Sequence, residues 1–335
     1  MSSVDVIVPC YRYGHFLREC VESVLAQSIS DVRVLILDDA SPDNTAEVAA
    51  ELANEDTRVR FVRHITNKGH IATYNEGIEW ASADYLLLLS ADDYLLPGTL
   101  SQATNLMDTY PEVGFTFGQV IELNDSRNKS EIKIVANVGN KKKWRILTGL
   151  EFIELSGSQN LVPTATAVIR TELQKKVGGY RKELPHTADM EMWLRLAAHA
   201  SVGSFEEYQA VYRRHADNMS HGYYRANYLP DLDQRKAAVD FFVRSCGHML
   251  ENAQQLHRKM LWSLGCRAIG FASAAFNDGD LEGSNRLSQF ALSVCPKIKQ
   301  SLPWSKLACK RYMGLKRWRV LQPAIARLRE LVLRK

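Results

Sequence analysis

Hydrophobic positions along the first 110 residues switch between two periods. Val4 to Val8 is a short apolar run that predicts a strand, and Leu17, Val21, Val24 and Leu25 then recur at helical spacing. Val32 to Leu37 is nearly continuous in apolar residues and ends in Asp38-Asp39, the pattern of a strand buried on both faces. Turn and N-cap residues from Ser41 to Thr45 announce a helix to about Asn54. Val59 to Arg63 predicts a third strand and Ile71 to Ala81 a helix. Tyr85 to Leu89 predicts a fourth strand that runs into Ser90-Ala91-Asp92-Asp93. After Pro97-Gly98, Leu100, Ala103 and Met107 mark one more helix face.

This β-α alternation implies a mostly parallel sheet flanked by helices, because right-handed crossovers lay each helix back across the sheet. Ligands of such sheets bind at the carboxyl ends of the strands. Here those ends carry Pro9, Asp38-Asp39 and Asp92-Asp93, so four carboxylates are expected on one rim. Farther on, Phe115 to Leu123, Ile132 to Val135, Thr166 to Arg170 and Tyr208 to Arg214 predict strands, and Asp189 to His199 a helix. Beyond Tyr228 the chain reads as helical. The expected division is 1–225 for the α/β domain, 226–295 for a helical region and 296–335 for a basic amphipathic tail. Within the helical region, Phe276 to Pro296 reads as one helix-turn-helix unit without a second copy.

Composition excludes classes rather than naming one. With 335 residues, 46% hydrophobic and 24% charged, the chain is neither collagenous, nor low in complexity, nor a disulfide-stapled miniprotein. Six cysteines form no C-x-x-C pair and stand at no zinc spacing. The N-terminal apolar run is too short for a secretory signal, which points to a reducing cytoplasm. Charge is divided unevenly. Pro296 to Lys335 holds 12 Lys and Arg against the single Glu330, whereas the preceding residues are net acidic. Trp304, Tyr312, Trp318 and leucines interleave with the basic residues, and Ile325, Leu328, Leu331 and Val332 share a helical face. Such a segment suits the anionic inner face of the cell membrane, with a helix packed on the body as the alternative. An acidic body without a recognised module argues against nucleic acid.

Carboxylates that follow a buried apolar strand need a partner, and a divalent cation of the Mg²⁺ or Mn²⁺ type is the natural one, held with substrate phosphates. Asp38-Asp39 stands where acidic residues bond a ribose or base edge. Asn67-Lys68-Gly69 opens a helix whose free N–H groups favour phosphate.

Four stretches, VDVIVPCYRY, LDDASPDNT, NKGHIATYNEGIEWASADYLLLLSADDYLLPGTL and PHTADMEMWLRLA, resemble in order and spacing the motifs of the family 2 glycosyltransferases, which have the GT-A fold. The resemblance spans roughly residues 4 to 215. It implies an inverting transfer of a sugar from a nucleoside diphosphate, UDP by preference, to a hydroxyl of a glycan or lipid-linked acceptor. It further implies that Pro9 and Tyr11 line the base, that Asp38 and Asp39 contact base and ribose, and that Asp92 lies near the ribose and diphosphate. Asp93 would hold the metal, with His215 of VYRRHADN completing that site, while Lys68 and Arg213 clamp the diphosphate. Asp189 would be the catalytic base, with Glu191 as its nearest rival. Ser90 and Ala188 replace acids of the family pattern, and Arg12 replaces an Asn. A donor-binding module that has lost catalysis therefore stays open. A sugar nucleotidyltransferase would want a glycine-rich phosphate signature that VPCYRYGHF lacks.

Overall fold

The computed structural model describes residues 2–123, 143–216, 218–219, 223 and 228–322. It divides into two compact units, Met1–Asn218 and Met219–Lys335, a boundary slightly earlier than the expected 225.

The first unit is α/β. Its strands are β1 (Val4–Cys10), β2 (Val32–Asp38), β3 (Val59–Arg63), β4 (Tyr85–Leu88), β5 (Tyr94–Leu95), β6 (Val113–Leu123), β7 (Trp144–Leu147), β8 (Val168–Arg170) and β9 (Ser201–Arg213). They form one sheet in the order β3-β2-β1-β4-β8-β6-β9-β5, with β7 on β9. The half made of β3, β2, β1 and β4 is wholly parallel, and the other half is mixed. Helices α1 (Gly14–Leu25), α2 (Thr45–Glu55), α3 (His70–Trp80), α4 (Thr99–Thr109), α5 (Gly149–Ser156), α6 (Thr171–Val177) and α7 (Ala188–Ala197) flank it. The expected strand at Ile132 to Val135 lies outside the described residues. Edge strand β7, which is exposed or half-buried throughout, and the short β5 carry too few apolar residues to announce themselves.

Burial follows the sequence pattern. Every residue of β1 is buried, including Asp5, whose carboxylate takes two hydrogen bonds from Arg33 (2.8 and 2.7 Å) and the N–H groups of Ser82 and Ala83 (2.7 and 2.9 Å). A polar residue inside a core strand thereby fixes where β4 begins. Helix α3 lies so close on β1 that a Cβ at Gly77 would stand 2.3 Å from Ile7. That contact sets the height of the α3 N-terminus above the strand ends.

The second unit is helical, with α8 (Leu229–Cys246), α9 (Ala253–Asp278), α10 (Leu281–Val294) and α11 (Leu302–Met313), and residues 315–322 are helical too. Gly279, at φ 94°, ends α9, and the Asp280 carboxylate accepts from the Gly283 N–H (2.8 Å) to start α10. This is the helix-turn-helix unit the sequence predicted. The basic segment does not stand apart from it. Ile298, Leu307 and Trp318 are buried in one cluster with Leu264, Phe276 and Leu287, so the described part of 296–335 belongs to the same core as 226–295.

Candidate active site

Parallel register brings three strand ends to one edge. Cys10 pairs with Asp38 and Ile7 with Leu88, and the Asp39 N–H donates to the Cys10 carbonyl (2.9 Å). The loops after β1 and β2 are bent by Arg12 and Ala40, at φ 65° and 59°, a left-handed region that side chains adopt at a cost. The Arg12 N–H is held by Ser41 Oγ at 2.9 Å. The asparagine of the family pattern tolerates that conformation better than arginine does.

At this edge Asp38 and Asp39 part company. Asp38 is fully buried; its Oδ1 accepts from the Ser41 N–H (2.9 Å) and Oδ2 faces Arg63 Nε at 3.2 Å, so it holds the turn and does not face a base as expected. Pro9 is likewise buried within β1, opposite Leu37, while Tyr11 is exposed. Asp39 sits at the α3 entrance and accepts from His64 Nδ1 (2.7 Å), the Lys68 N–H (2.7 Å) and the Gly69 N–H (2.9 Å). His64 Nε2 meets Glu76 at 3.1 Å, and Lys68 Nζ reaches the same Glu76 oxygen at 2.7 Å. The Lys68 ammonium is therefore paired with a carboxylate, although its backbone helps build the rim.

Burial raises the Asp39 carboxyl, but the bonds from His64, Lys68 and Gly69 outweigh it and hold the group below its ordinary 3.8. A depressed native value contributes stability that is complete above the unfolded value and is lost as pH falls through the native one. Asp39→Asn is thus expected to lose stability at pH 7, and its deficit against the parent should shrink below about pH 4. Urea unfolding of both proteins at pH 7 and pH 3 checks this; a deficit independent of pH would disprove it.

Asp92 and Asp93 leave β4 in a tight turn closed by the Asp93 N–H on the Ser90 carbonyl (3.0 Å). Asp93, the expected metal ligand, and its neighbour Asp92 have different surroundings. Asp93 Oδ1 accepts from the Arg213 N–H (3.0 Å), and burial together with the neighbouring Asp92 pushes its carboxyl well up. Asp92 is the carboxylate beside His215, with Oδ2 at 3.1 Å from Nε2 and 3.4 Å from Asn218 Nδ2. Its Oδ1 is buried with no hydrogen-bond partner among the described residues.

The Arg213 side chain, expected at the diphosphate, is engaged within the protein. Its side chain is buried, Nη1 donates to the Asp92 carbonyl, Nη2 pairs with Glu19, and the guanidinium lies 4.8 Å from both the Phe16 and Tyr94 rings. It fixes the turn that carries the two aspartates.

An orphaned carboxylate oxygen next to an imidazole fits a hard divalent cation completed by phosphate oxygens. Among the described residues no three His, Cys, Asp or Glu side chains gather into a metal cluster. Asp92 and His215 are the pair that would hold such an ion, and the ion would supply charge neutralisation on a leaving diphosphate.

Asp189 is half-buried in the first turn of α7. Its Oδ2 accepts from Asn160 Nδ2 at 2.6 Å and its Oδ1 from the Met190 N–H at 2.7 Å, a setting in which the helix dipole favours the ionised form. Glu191, the rival acid, is set differently. It is fully buried, and both oxygens are taken by Arg195 (2.8 to 3.3 Å), with Arg181 on Oε1 at 2.9 Å. Two contacts tie the Asp189 segment to α3. Asn75 brackets Tyr180, accepting from its N–H (2.7 Å) and donating to its carbonyl (2.9 Å), and His70 Nε2 lies 2.9 Å from the Pro185 carbonyl.

Tyr74 of α3 packs against His70 and Tyr180, with ring centroids 5.5 and 5.6 Å apart. Burial, then the charges of Asp92, Asp189 and Asp93, push its phenol up. Asn160, Asn218, His64 and Tyr74 carry no sequence signal of their own, since each is a single polar residue in a loop or on a helix.

A twisted α/β sheet that offers carboxylates, an imidazole and a helix N-terminus along the carboxyl edge of its parallel half defines a nucleotide-dependent transferase fold of the GT-A type. The sequence model of glycosyl transferase family 2 matches residues 5–175, and the chain belongs to that family. It is 34% identical over 101 residues to the uncharacterized glycosyltransferase EpsJ of Bacillus subtilis, covering 30% of this chain and 29% of EpsJ. It is 26% identical over 222 residues to the chondroitin synthase of Pasteurella multocida, covering 65% of this chain and 21% of the synthase. The chain thus spans about a third or less of these two relatives. Among solved structures, Staphylococcus aureus TarS 1-349 in complex with UDP superimposes with a TM-score of 0.63 at 17% identity, over 97% of this chain and 91% of that one. The mannosyltransferase PcManGT of Pyrobaculum calidifontis, in complex with GDP-Man and Mn²⁺, gives 0.54 at 16% identity, over 94% and 87%.

Proposed function

We propose that the protein transfers a sugar, with inversion, from a nucleoside diphosphate to an acceptor hydroxyl. The observation that carries this reading is the pairing of Asp92, whose buried Oδ1 has no partner among the described residues, with His215 at the strand-end edge. Asp189 takes the proton of the acceptor hydroxyl, whose oxygen forms the new bond to the anomeric carbon while the bond to the diphosphate oxygen breaks on the opposite face. One displacement gives one inversion. Asn160 keeps the carboxylate aimed, and Asp39 with the α3 N-terminus takes the nucleoside end. UDP is the favoured base carrier and Mn²⁺ or Mg²⁺ the cation, in keeping with the ligands of TarS and PcManGT. The chondroitin synthase relative suits an acceptor that is a growing surface polysaccharide or a lipid-linked glycan.

Calorimetry with UDP-sugars and GDP-mannose, with and without Mn²⁺, tests the reading. Cation-dependent binding of one donor is expected, and no binding of any donor would refute it. Donor binding with no transfer to any glycan would favour the degenerate module.

We also infer attachment to the inner face of the membrane through the basic end of the chain. No described helix is long and apolar enough to cross a bilayer. Within the described residues Trp318 is buried and Lys310 and Arg311 bond to serines of α9 and α10, so these are not the lipid contacts. Lys316, Arg317, Val320 and Leu321 point outward instead, alternating cations with apolar groups as interfacial helices do. At about 1 kcal/mol per basic residue near anionic lipid, Lys316→Glu with Arg317→Glu should cut binding to phosphatidylglycerol vesicles by at least about tenfold. Flotation with equal recovery of both proteins would sink the inference.

A further inference from the structure

His215 reaches the cation site through one ring atom. Its Nε2 lies 3.1 Å from Asp92 Oδ2 and 3.4 Å from Asn218 Nδ2, contacts that fix that atom and leave the plane of the imidazole open. Two rings from the start of α1 set the plane. Tyr13, the residue before that helix, meets the imidazole edge to face, with centroids 5.4 Å apart and planes at 83°. Phe16, in the first turn, stands at the same 5.4 Å with its plane tilted by 37°. The two residues are three apart, the spacing that puts side chains on one face of a helix, and both are half-buried. His15 packs on Phe16 in turn, at 3.9 Å between centroids.

Phe16 also meets the residue that fixes the Asp92 turn. The Arg213 guanidinium lies 4.8 Å from its centroid, donates to the Asp92 carbonyl and pairs with Glu19, one turn further along α1. One ring therefore touches both supports of the cation pair, the imidazole itself and the guanidinium that anchors the carboxylate. A cation is bound well only if its ligands are aimed at one point, and the groups that orient the ligands set affinity nearly as strongly as the ligands do. We propose that Phe16, assisted by Tyr13, is a positioning residue that holds His215 against Asp92 and so sets the affinity of the site for its divalent cation. This rests on the reading of Asp92 and His215 as the cation pair and adds what aims them.

The test measures the affinity for UDP and for GDP by calorimetry, from EDTA through rising Mn²⁺ concentrations, in the parent, Phe16→Leu, Tyr13→Leu and Phe16→Tyr, with melting temperatures alongside. Phe16→Leu should bind nucleotide like the parent in EDTA and need about threefold to tenfold more Mn²⁺ to reach the same nucleotide affinity, the size of one lost aromatic pair. Phe16→Tyr keeps the ring and should restore the parental Mn²⁺ dependence. Tyr13→Leu, which spares the Arg213 contact, should show a smaller shift of the same kind and serves if Phe16→Leu does not fold. A ring that served packing alone would lower the melting temperature and leave the Mn²⁺ dependence of the folded protein unchanged. A parental Mn²⁺ dependence in the folded leucine variants would thus overturn the assignment even if the parent binds its nucleotide through the cation. A parent that binds neither nucleotide more tightly with Mn²⁺ would instead remove the cation reading of Asp92 and His215, and this assignment with it.

Discussion

Asp189→Asn is expected to lower the rate of sugar transfer by about 10²- to 10⁴-fold while leaving donor affinity near that of the parent. The amide keeps the shape of the carboxylate and can still meet Asn160 after a flip of either group, but it cannot take a proton. A sugar hydroxyl is a poor nucleophile unless its proton leaves as the new bond forms, so the loss falls on the chemical step. Single-turnover transfer measured beside calorimetric donor affinity separates the two quantities. Unchanged turnover would take Asp189 out of the mechanism. A parallel loss of donor affinity would show that the residue acts through the donor pocket. Asn160→Ala should show a smaller loss of the same kind, because its 2.6 Å bond orients the base without touching substrate.

The strand-end carboxylates were legible in the sequence because each follows an apolar run that has no other reason to end in paired acids. Which member of each pair faces the site was not. Asp38 differs from Asp39, and Asp93 from Asp92, through partners distant in sequence: Ser41 and Arg63 for the first pair, Arg213, His215 and Asn218 for the second. A residue contacted across 120 positions leaves no local periodicity to read. The same limit explains Arg213, whose charge suggested a phosphate and whose burial between Phe16 and Tyr94 assigns it to the turn.

The basic tail shows a second limit. A stripe of aromatic and aliphatic residues beside lysines has the same sequence pattern whether it meets lipid or a neighbouring helix. Trp318 went to a helix, with its Nε1 donating to Asn277 at 2.7 Å. Strand β9 was read only in its second half, from Tyr208, because Glu206 and Glu207 interrupt the apolar alternation that would have extended it back to Ser201.

The largest loss of stability is expected at Glu191. Its carboxylate is inaccessible to water and is shared by Arg195, itself 7% exposed as a side chain, and by Arg181, at 30%. Arg195 also donates to the Val177 and Gly179 carbonyls, so the network joins α7 to the end of α6 and to the Gly178-Gly179 turn before Tyr180. Removing one partner of a buried pair leaves the other charge uncompensated, which costs about 3 to 5 kcal/mol. For a unit of this size that is a fall of roughly 6 to 20 °C in melting temperature. Glu191→Gln, which preserves volume, is the sharper variant. A catalytic glutamate replaced by glutamine would leave a stable, inactive protein. A structural glutamate replaced by glutamine should leave an unstable protein whose folded fraction, assayed well below its melting temperature, still transfers sugar at near the parental rate. Calorimetric melting and transfer measured at 10 °C distinguish the two, and the outcome decides whether the acid two residues beyond Asp189 serves the chemistry or only holds the helix that presents it.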